Sequence, residues 1–256
     1  MLRQFGGGIE LTTLVGIPKG SGLGTSSIIG AVLVAVINRL MGRPQDQREI
    51  FHNVLRLEQA LTTGGGWQDQ IGGGVGGTKI TITRPGMFPD PDIHYVPDDL
   101  LDPALNGSST LLYYTGLTRL AKNILQQIVG GYFNRDRTIM SALAQEHHVA
   151  RRVAEAMGRK DPAEFGRCID EAWRLQKRLC GEVTNEAIES LLDRVRPHIH
   201  GARISGAGSG GFLMMICKSP GDAQEVRRDL EARPLNDRAR FFDYQVNHAG
   251  LEVATC

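Results

Sequence analysis

The chain has 256 residues, 41% of them hydrophobic and 22% charged, and 29 Lys and Arg against 28 Asp and Glu leave a formal net charge of +1. That length supports a buried core in one large or two small domains, and so even a balance makes no electrostatic case for a nucleic acid or an anionic membrane as partner. The apolar run over residues 28–37 is too short to span a bilayer and no charged and apolar leader follows Met1, so the expected compartment is the cytoplasm.

Residues 9–17 read as a strand. They lead through Pro18 and Lys19 into the loop Gly20-Ser21-Gly22-Leu23-Gly24, and Thr25, Ser26 and Ser27 then stand at the start of a helix expected over 25–41. Glycine tolerates positive φ and brings no Cβ, so such a loop lets the backbone approach a bulky anion. The unpaired N–H groups and positive dipole end of a helix start suit a phosphate, and the hydroxyls suit magnesium. The plainer alternative is a glycine-rich turn that caps a core helix. A Walker loop ends in Gly-Lys-Ser or Gly-Lys-Thr, whereas Lys19 precedes this one. A dinucleotide fingerprint needs an acid about 20 residues on, at the tip of a second strand, and residues 37–47 offer only Asp46 in a polar stretch. Neither motif fits.

A second helix, expected over 46–61, carries the apolar stripe Ile50, Val54, Leu57 and Leu61. It also carries Glu58, which is a magnesium ligand if a hydroxyl stands beside it and a solvated helix acid otherwise. The glycine-rich stretch over 64–77 holds one acid, Asp69, between Gln68 and Gln70. A carboxylate among glycines can be approached closely by a substrate, which is the right chemistry for a base acting on a sugar hydroxyl. A turn acid is the alternative. Residues 78–83 alternate polar and apolar as a half-buried strand does. Residues 84–106, rich in Pro and Asp, read as an irregular connection near the domain boundary.

A strand over 110–115 is followed by helices expected over 120–133, 138–157, 162–179 and 185–195. The third small-residue loop, Ser205-Gly206-Ala207-Gly208-Ser209-Gly210-Gly211, then feeds a strand over 211–216 whose unbroken apolar run marks it as buried on both faces. Such a loop packs its backbone against a ligand or another loop, or is a simple turn. A helix over 221–231 and a strand over 240–246 complete a split β-α-β pattern. Cys168, Cys180, Cys217 and Cys256 show no Cys-x-x-Cys spacing and read as free thiols. His198 and His200, and the doublet His147-His148, lack the further ligands that a structural metal site needs.

Taken in order, the three clusters resemble the GHMP kinases, a superfamily of sugar and mevalonate kinases, and within it the fucokinase branch. The residues that carry the resemblance are Pro18-Lys19-Gly20-Ser21-Gly22-Leu23-Gly24-Thr25-Ser26-Ser27 and the stretch from Leu57-Glu58 onward. That stretch ends in the branch-specific string Thr62-Thr63-Gly64-Gly65-Gly66-Trp67-Gln68-Asp69-Gln70. Tyr114-Thr115-Gly116-Leu117-Thr118-Arg119-Leu120-Ala121-Lys122-Asn123 and the Ser205 to Gly211 loop complete the match.

The resemblance implies an α+β fold of two domains. A ribosomal-S5-like ATP-binding part, incomplete, would occupy 1–105, and a ferredoxin-like, helical C-terminal domain 106–256. It implies ATP and Mg2+, with Lys19, Gly20, Ser21, Gly22, Leu23, Gly24, Thr25, Ser26 and Ser27 at the phosphates. Gly206, Ala207, Gly208, Ser209 and Gly210 would brace them. Ser26 and Glu58 would hold the metal, with Ser27 the neighbouring alternative to Ser26, and Asp69 would act as base or orient the sugar hydroxyl. The implied reaction is phosphoryl transfer to the anomeric hydroxyl of L-fucose. A heptose-phosphate kinase, or a degenerate relative that at most binds nucleotide, are the alternatives. The family carries a further motif on its first strands, and residues 1–17 contain none. The chain therefore reads as a kinase domain without those strands, with an exposed edge prone to self-association.

Overall fold

Two units make up the residues that the structure, a computed structural model, describes: 8–61, 65–84, 86, 90–118 and 121–254. The first is drawn from Met1–Lys19, Gly24–Gly76 and His248–Cys256, the second from Gly20–Leu23 and Gly77–Asn247. No helix among the described residues is long and apolar enough to cross a membrane.

Three helices form the first unit: α1 (Thr25–Leu40), α2 (Gln47–Ala60) and α3 (Gln68–Gly74). The second starts on a reciprocal cap, with Glu49 N donating to Asp46 Oδ1 at 2.8 Å and Asp46 N to Glu49 Oε2 at 3.2 Å. α1 and α2 pack at Gly30, where a methyl group would stand 3.6 Å from both Val54 and Leu57, in ordinary contact. The short α3 is not expected from its sequence, since three of its seven residues are glycine, a poor helix former. Packing decides instead: a side chain on Gly73 would overlap Ile28, and one on Gly74 would lie 2.6 Å from the Phe51 ring. The strand expected over 9–17 is not formed. Among the described residues, 8–17 make no backbone hydrogen bond, and an extended segment without a ladder partner is not a strand. The segment instead lies along α1, where Leu11, Val15, Ile28, Val32 and Val36 help line an apolar groove of about 430 Å³, and Leu14 is 97% exposed.

In the second unit a hairpin of β1 (Lys79–Thr83) and β2 (Pro91–Tyr95) precedes a four-stranded sheet. The sheet runs β4-β5-β3-β6, with β3 (Thr110–Tyr114), β4 (Ile199–Ile204), β5 (Phe212–Cys217) and β6 (Arg240–Phe241). All neighbours are antiparallel, so β5 and β6 flank β3 and the expected split β-α-β arrangement is present. Five helices complete the unit: α4 (Ala121–Phe133), α5 (Arg137–Gly158), α6 (Pro162–Leu179), α7 (Glu186–Val195) and α8 (Pro220–Ala232). Side-chain caps start the last four, from Asp136, Asp161, Asn185 and Ser219 in turn. As expected, β5 is buried on both faces. Leu213 and Met215 join Leu111, Tyr113, Ile188, Leu192 and Val226 on one side, and Ile216 joins Phe165, Ile169 and Leu100 on the other.

The division between units falls at Gly76, not at residue 105. Thr78 N bonds Asp98 Oδ1 at 3.0 Å and Thr110 Oγ1 bonds Leu100 O at 2.6 Å, so residues 78–105 are tied to the sheet that follows. The stretch expected to be irregular also contains β2, which tolerates Pro91 because a strand's first residue need not donate. At the other end β6 is two residues rather than seven. Phe242 N still reaches Leu112 O at 3.0 Å, after which no ladder continues. Cys168, Cys180 and Cys217 are free and buried, while Cys256 lies outside the described residues. Burial pushes the Cys168 thiol up to about 11 and the Cys217 thiol up to about 12.

Candidate functional site

Where α1 and α2 close over Gly30, one turn towards the start of α1 brings Ser27 against Glu58. Both are buried, Ser27 at 2% and Glu58 at 7% exposure, and the Ser27 hydroxyl donates to Glu58 Oε1. A Cβ on Gly65 would overlap the other carboxylate oxygen, so a larger residue there displaces the Glu58 carboxylate. Asp69, in the first turn of α3, lies over the backbone of Gly24, the residue that starts α1 in a left-handed conformation at φ +67°. A Cβ on Gly24 would sit 2.6 Å from Asp69 Cβ and 2.8 Å from its Cγ. Burial first, and the Glu58 carboxylate second, push the Asp69 carboxyl above its ordinary range, while a hydrogen bond from Gln68 pulls the other way.

Two carboxylates, one of them bonded to a hydroxyl, are hard oxygen donors of the kind magnesium takes. The donor set fits that ion. Of the two candidate hydroxyls it is Ser27 that meets Glu58, whereas Ser26 and Lys19 are exposed and Thr25 is half-buried. Gln70, next to Asp69, is fully buried, and neither its Oε1 nor its Nε2 finds a partner among the described residues. Thr62, Thr63 and Gly64 of the catalytic string, and Arg119 and Leu120 of the later one, lie outside the described residues.

The second unit brings two of the predicted loops together. Gly22 (φ +77°) and Gly206 (φ +71°) meet backbone to backbone. A Cβ on Gly206 would lie 2.9 Å from both Cα and O of Gly22, and one on Gly22 would overlap the Ser205 carbonyl oxygen. Phe212 N donates to Ser21 O at 2.9 Å, which fastens the buried Ser21 to the end of the small-residue loop. Thr115 N and Oγ1 each donate to Gly211 O at 2.9 Å, and Gly211 N donates to Leu117 O at 2.9 Å. Asn236 Nδ2 holds Thr115 O in turn at 2.8 Å.

Ser209 is left-handed without being glycine, at φ +65°. Its N–H bonds Val183 O and its hydroxyl bonds Glu182 O, which fixes that conformation. Gly208 packs on the same turn, since its Cβ would lie 2.6 Å from Val183 O. From α6, Gln176 Nε2 donates to Gly206 O at 2.9 Å. Gln176 and Asn236 escape a reading of the sequence, because a glutamine inside an amphipathic helix and an asparagine in a polar tail carry no local signal of what they touch.

Models of two domains match the chain. The GHMP kinases N terminal domain matches residues 1–77, and the GHMP kinases C terminal model matches 153–236. A curated relative from Bacteroides fragilis, an L-fucokinase/L-fucose-1-P guanylyltransferase, is 39% identical over 99% of this chain. The chain spans only 27% of that relative's length. A D-glycero-alpha-D-manno-heptose 7-phosphate kinase from Campylobacter jejuni is 26% identical over 81% of the chain and 60% of its own length. The fold resembles that of Lactococcus lactis galactokinase in its complex with galactose. There the TM-score is 0.68 at 15% identity, covering 92% of this chain and 69% of the other.

Proposed function

Because the chain belongs to the GHMP kinase family, we propose that it transfers the γ-phosphoryl group of ATP to the anomeric hydroxyl of L-fucose. The observation that carries this reading is the buried Ser27–Glu58 pair beside Asp69. Phosphoryl transfer asks a protein mainly for positioning and for neutralisation of charge. The N–H groups of the loop from Gly22 to Ser27 receive the phosphate oxygens, with the start of α1 adding its dipole. Ser27, rather than the exposed Ser26, and Glu58 hold Mg2+, which when bound offsets the negative charge of the transferring group. Asp69 accepts the proton of the sugar hydroxyl or orients it, and a carboxyl with raised proton affinity is the better base for that purpose.

Identity to the fucokinase relative, at 39% against 26% for the heptose 7-phosphate kinase, favours fucose over a phosphorylated heptose. Coupled detection of ADP release, with Mg-ATP and each sugar in turn, tests the choice. We expect release that depends on L-fucose and falls away with D-glycero-D-manno-heptose 7-phosphate. The opposite preference overturns the fucose reading, and Mg-ATP binding without release from either sugar overturns the kinase reading.

A further inference from the structure

We propose that Gln176 is a positioning residue for the nucleotide: it turns the peptide between Gly206 and Ala207 so that the Ala207 N–H is presented to the ATP phosphates. The proposal rests on the kinase reading above, and the residues it is argued from, Gln176, Gly206, Ala207 and Gly22, all belong to the second unit.

Gln176 sits inside α6 at 6% exposure, and its Nε2 donates to Gly206 O at 2.9 Å. The peptide unit is planar and trans, so its C=O and the following N–H point in opposite directions. With Gly206 O held towards α6, the Ala207 N–H faces away from α6, and it makes no hydrogen bond among the described residues. Gly206 cannot hold that orientation by itself. It is exposed, left-handed at φ +71°, and glycine takes either sign of φ about equally readily. The other bonds that anchor this loop act to either side of that peptide, at Ser205, whose N–H donates to Phe212 O at 2.7 Å, and at Ser209 and Gly211, and none of them acts on the peptide between Gly206 and Ala207. Gln176 thus grips the loop at the point where Gly206 meets Gly22.

The remaining half of the carboxamide argues against a purely structural role. Gln176 Oε1 is buried and has no partner among the described residues, which destabilises a fold relative to an apolar group of the same shape. Methionine has nearly that shape. A residue that loses stability by being polar, and spends its one bond on the carbonyl of a glycine loop, is placed there to orient the loop.

The test is Gln176→Met, with Mg-ATP affinity measured by calorimetry, KM for sugar measured separately, and a thermal melt. We expect Mg-ATP affinity to fall about fivefold to tenfold, as for the loss of one hydrogen bond, with KM for sugar unchanged and the melting temperature unchanged or higher. Gln176→Glu keeps the shape but turns an acceptor towards the Gly206 carbonyl, so its Mg-ATP affinity should fall further still. Wild-type nucleotide affinity in Gln176→Met overturns the proposal, as does an equal rise in both KM values with a lowered melting temperature. Failure of the wild-type chain to bind Mg-ATP at all overturns the kinase reading and this proposal with it.

Discussion

Replacing Gly24 by alanine puts a methyl group where the Asp69 side chain lies. The new Cβ would be 2.6 Å from Asp69 Cβ and 2.8 Å from Cγ. Carbon atoms rest about 3.5–4.0 Å apart, so the carboxylate must retreat by about 1 Å. The backbone cannot easily yield instead, because Gly24 is the residue from which α1 starts. Its φ of +67° also costs an alanine about 1–2 kcal/mol. The two effects fall on different observables. Strain in the loop weakens nucleotide binding by about fivefold to thirtyfold if all of it is expressed there. A retreat of about 1 Å by the group that handles the acceptor proton lowers turnover by about 100-fold. Coupled ADP release at saturating Mg-ATP and L-fucose, with calorimetry of Mg-ATP alongside, separates them. Turnover within about threefold of wild type would refute the placement of Asp69 at the reacting hydroxyl.

Asp69 holds its proton to a higher pH in the folded chain than in the unfolded one, so folding stability declines as pH rises from the ordinary carboxylate range through its native pKa. Asp69→Asn removes that decline: its melting temperature should exceed wild type's at neutral pH, with the gap closing in acid, while transfer falls by about 10²–10⁴-fold. A variant that melts below wild type at neutral pH contradicts the repulsion from Glu58 and the burial behind it. Ser27→Ala should weaken Mg-ATP binding by about tenfold or more, as the loss of a bond to a charged group does. The exposed Ser26→Ala should stay within about twofold, and the reverse ranking in calorimetry returns the metal to Ser26. Leu14→Lys should reduce concentration-dependent association in sedimentation velocity, because it puts a charge on the exposed apolar segment along α1. Equal sedimentation of both chains at all concentrations means that this face does not associate.

The glycine loops were legible because what they demand is local. Positive φ at Gly22, Gly24 and Gly206 is a conformation that glycine itself permits. The start of α2 was legible for the same reason, since Asp46 and Glu49 cap each other three residues apart. Whether Ser26 or Ser27 meets Glu58 was not, because it depends on the rotation of α1 against α2, which is set by contacts between residues some thirty positions apart. The helix around Asp69 was hidden by its own composition: glycine disfavours a helix, and only contact with Ile28 and Phe51 makes one. Residues 9–17 have the composition of a strand, but a strand is a property of two segments and the pattern of one cannot supply the other. Gln176 was silent for a related reason, since its partner is a backbone carbonyl thirty residues away.

The central claim is that this chain moves phosphate from ATP to the anomeric oxygen of a sugar, with Asp69 acting on that oxygen. Phosphorus NMR of the reaction with Mg-ATP and L-fucose tests it most directly. We predict a new phosphomonoester signal coupled to the anomeric proton, growing as ADP grows, and absent with Asp69→Asn. A signal coupled to any other sugar proton, or only inorganic phosphate beside the ADP, would contradict it.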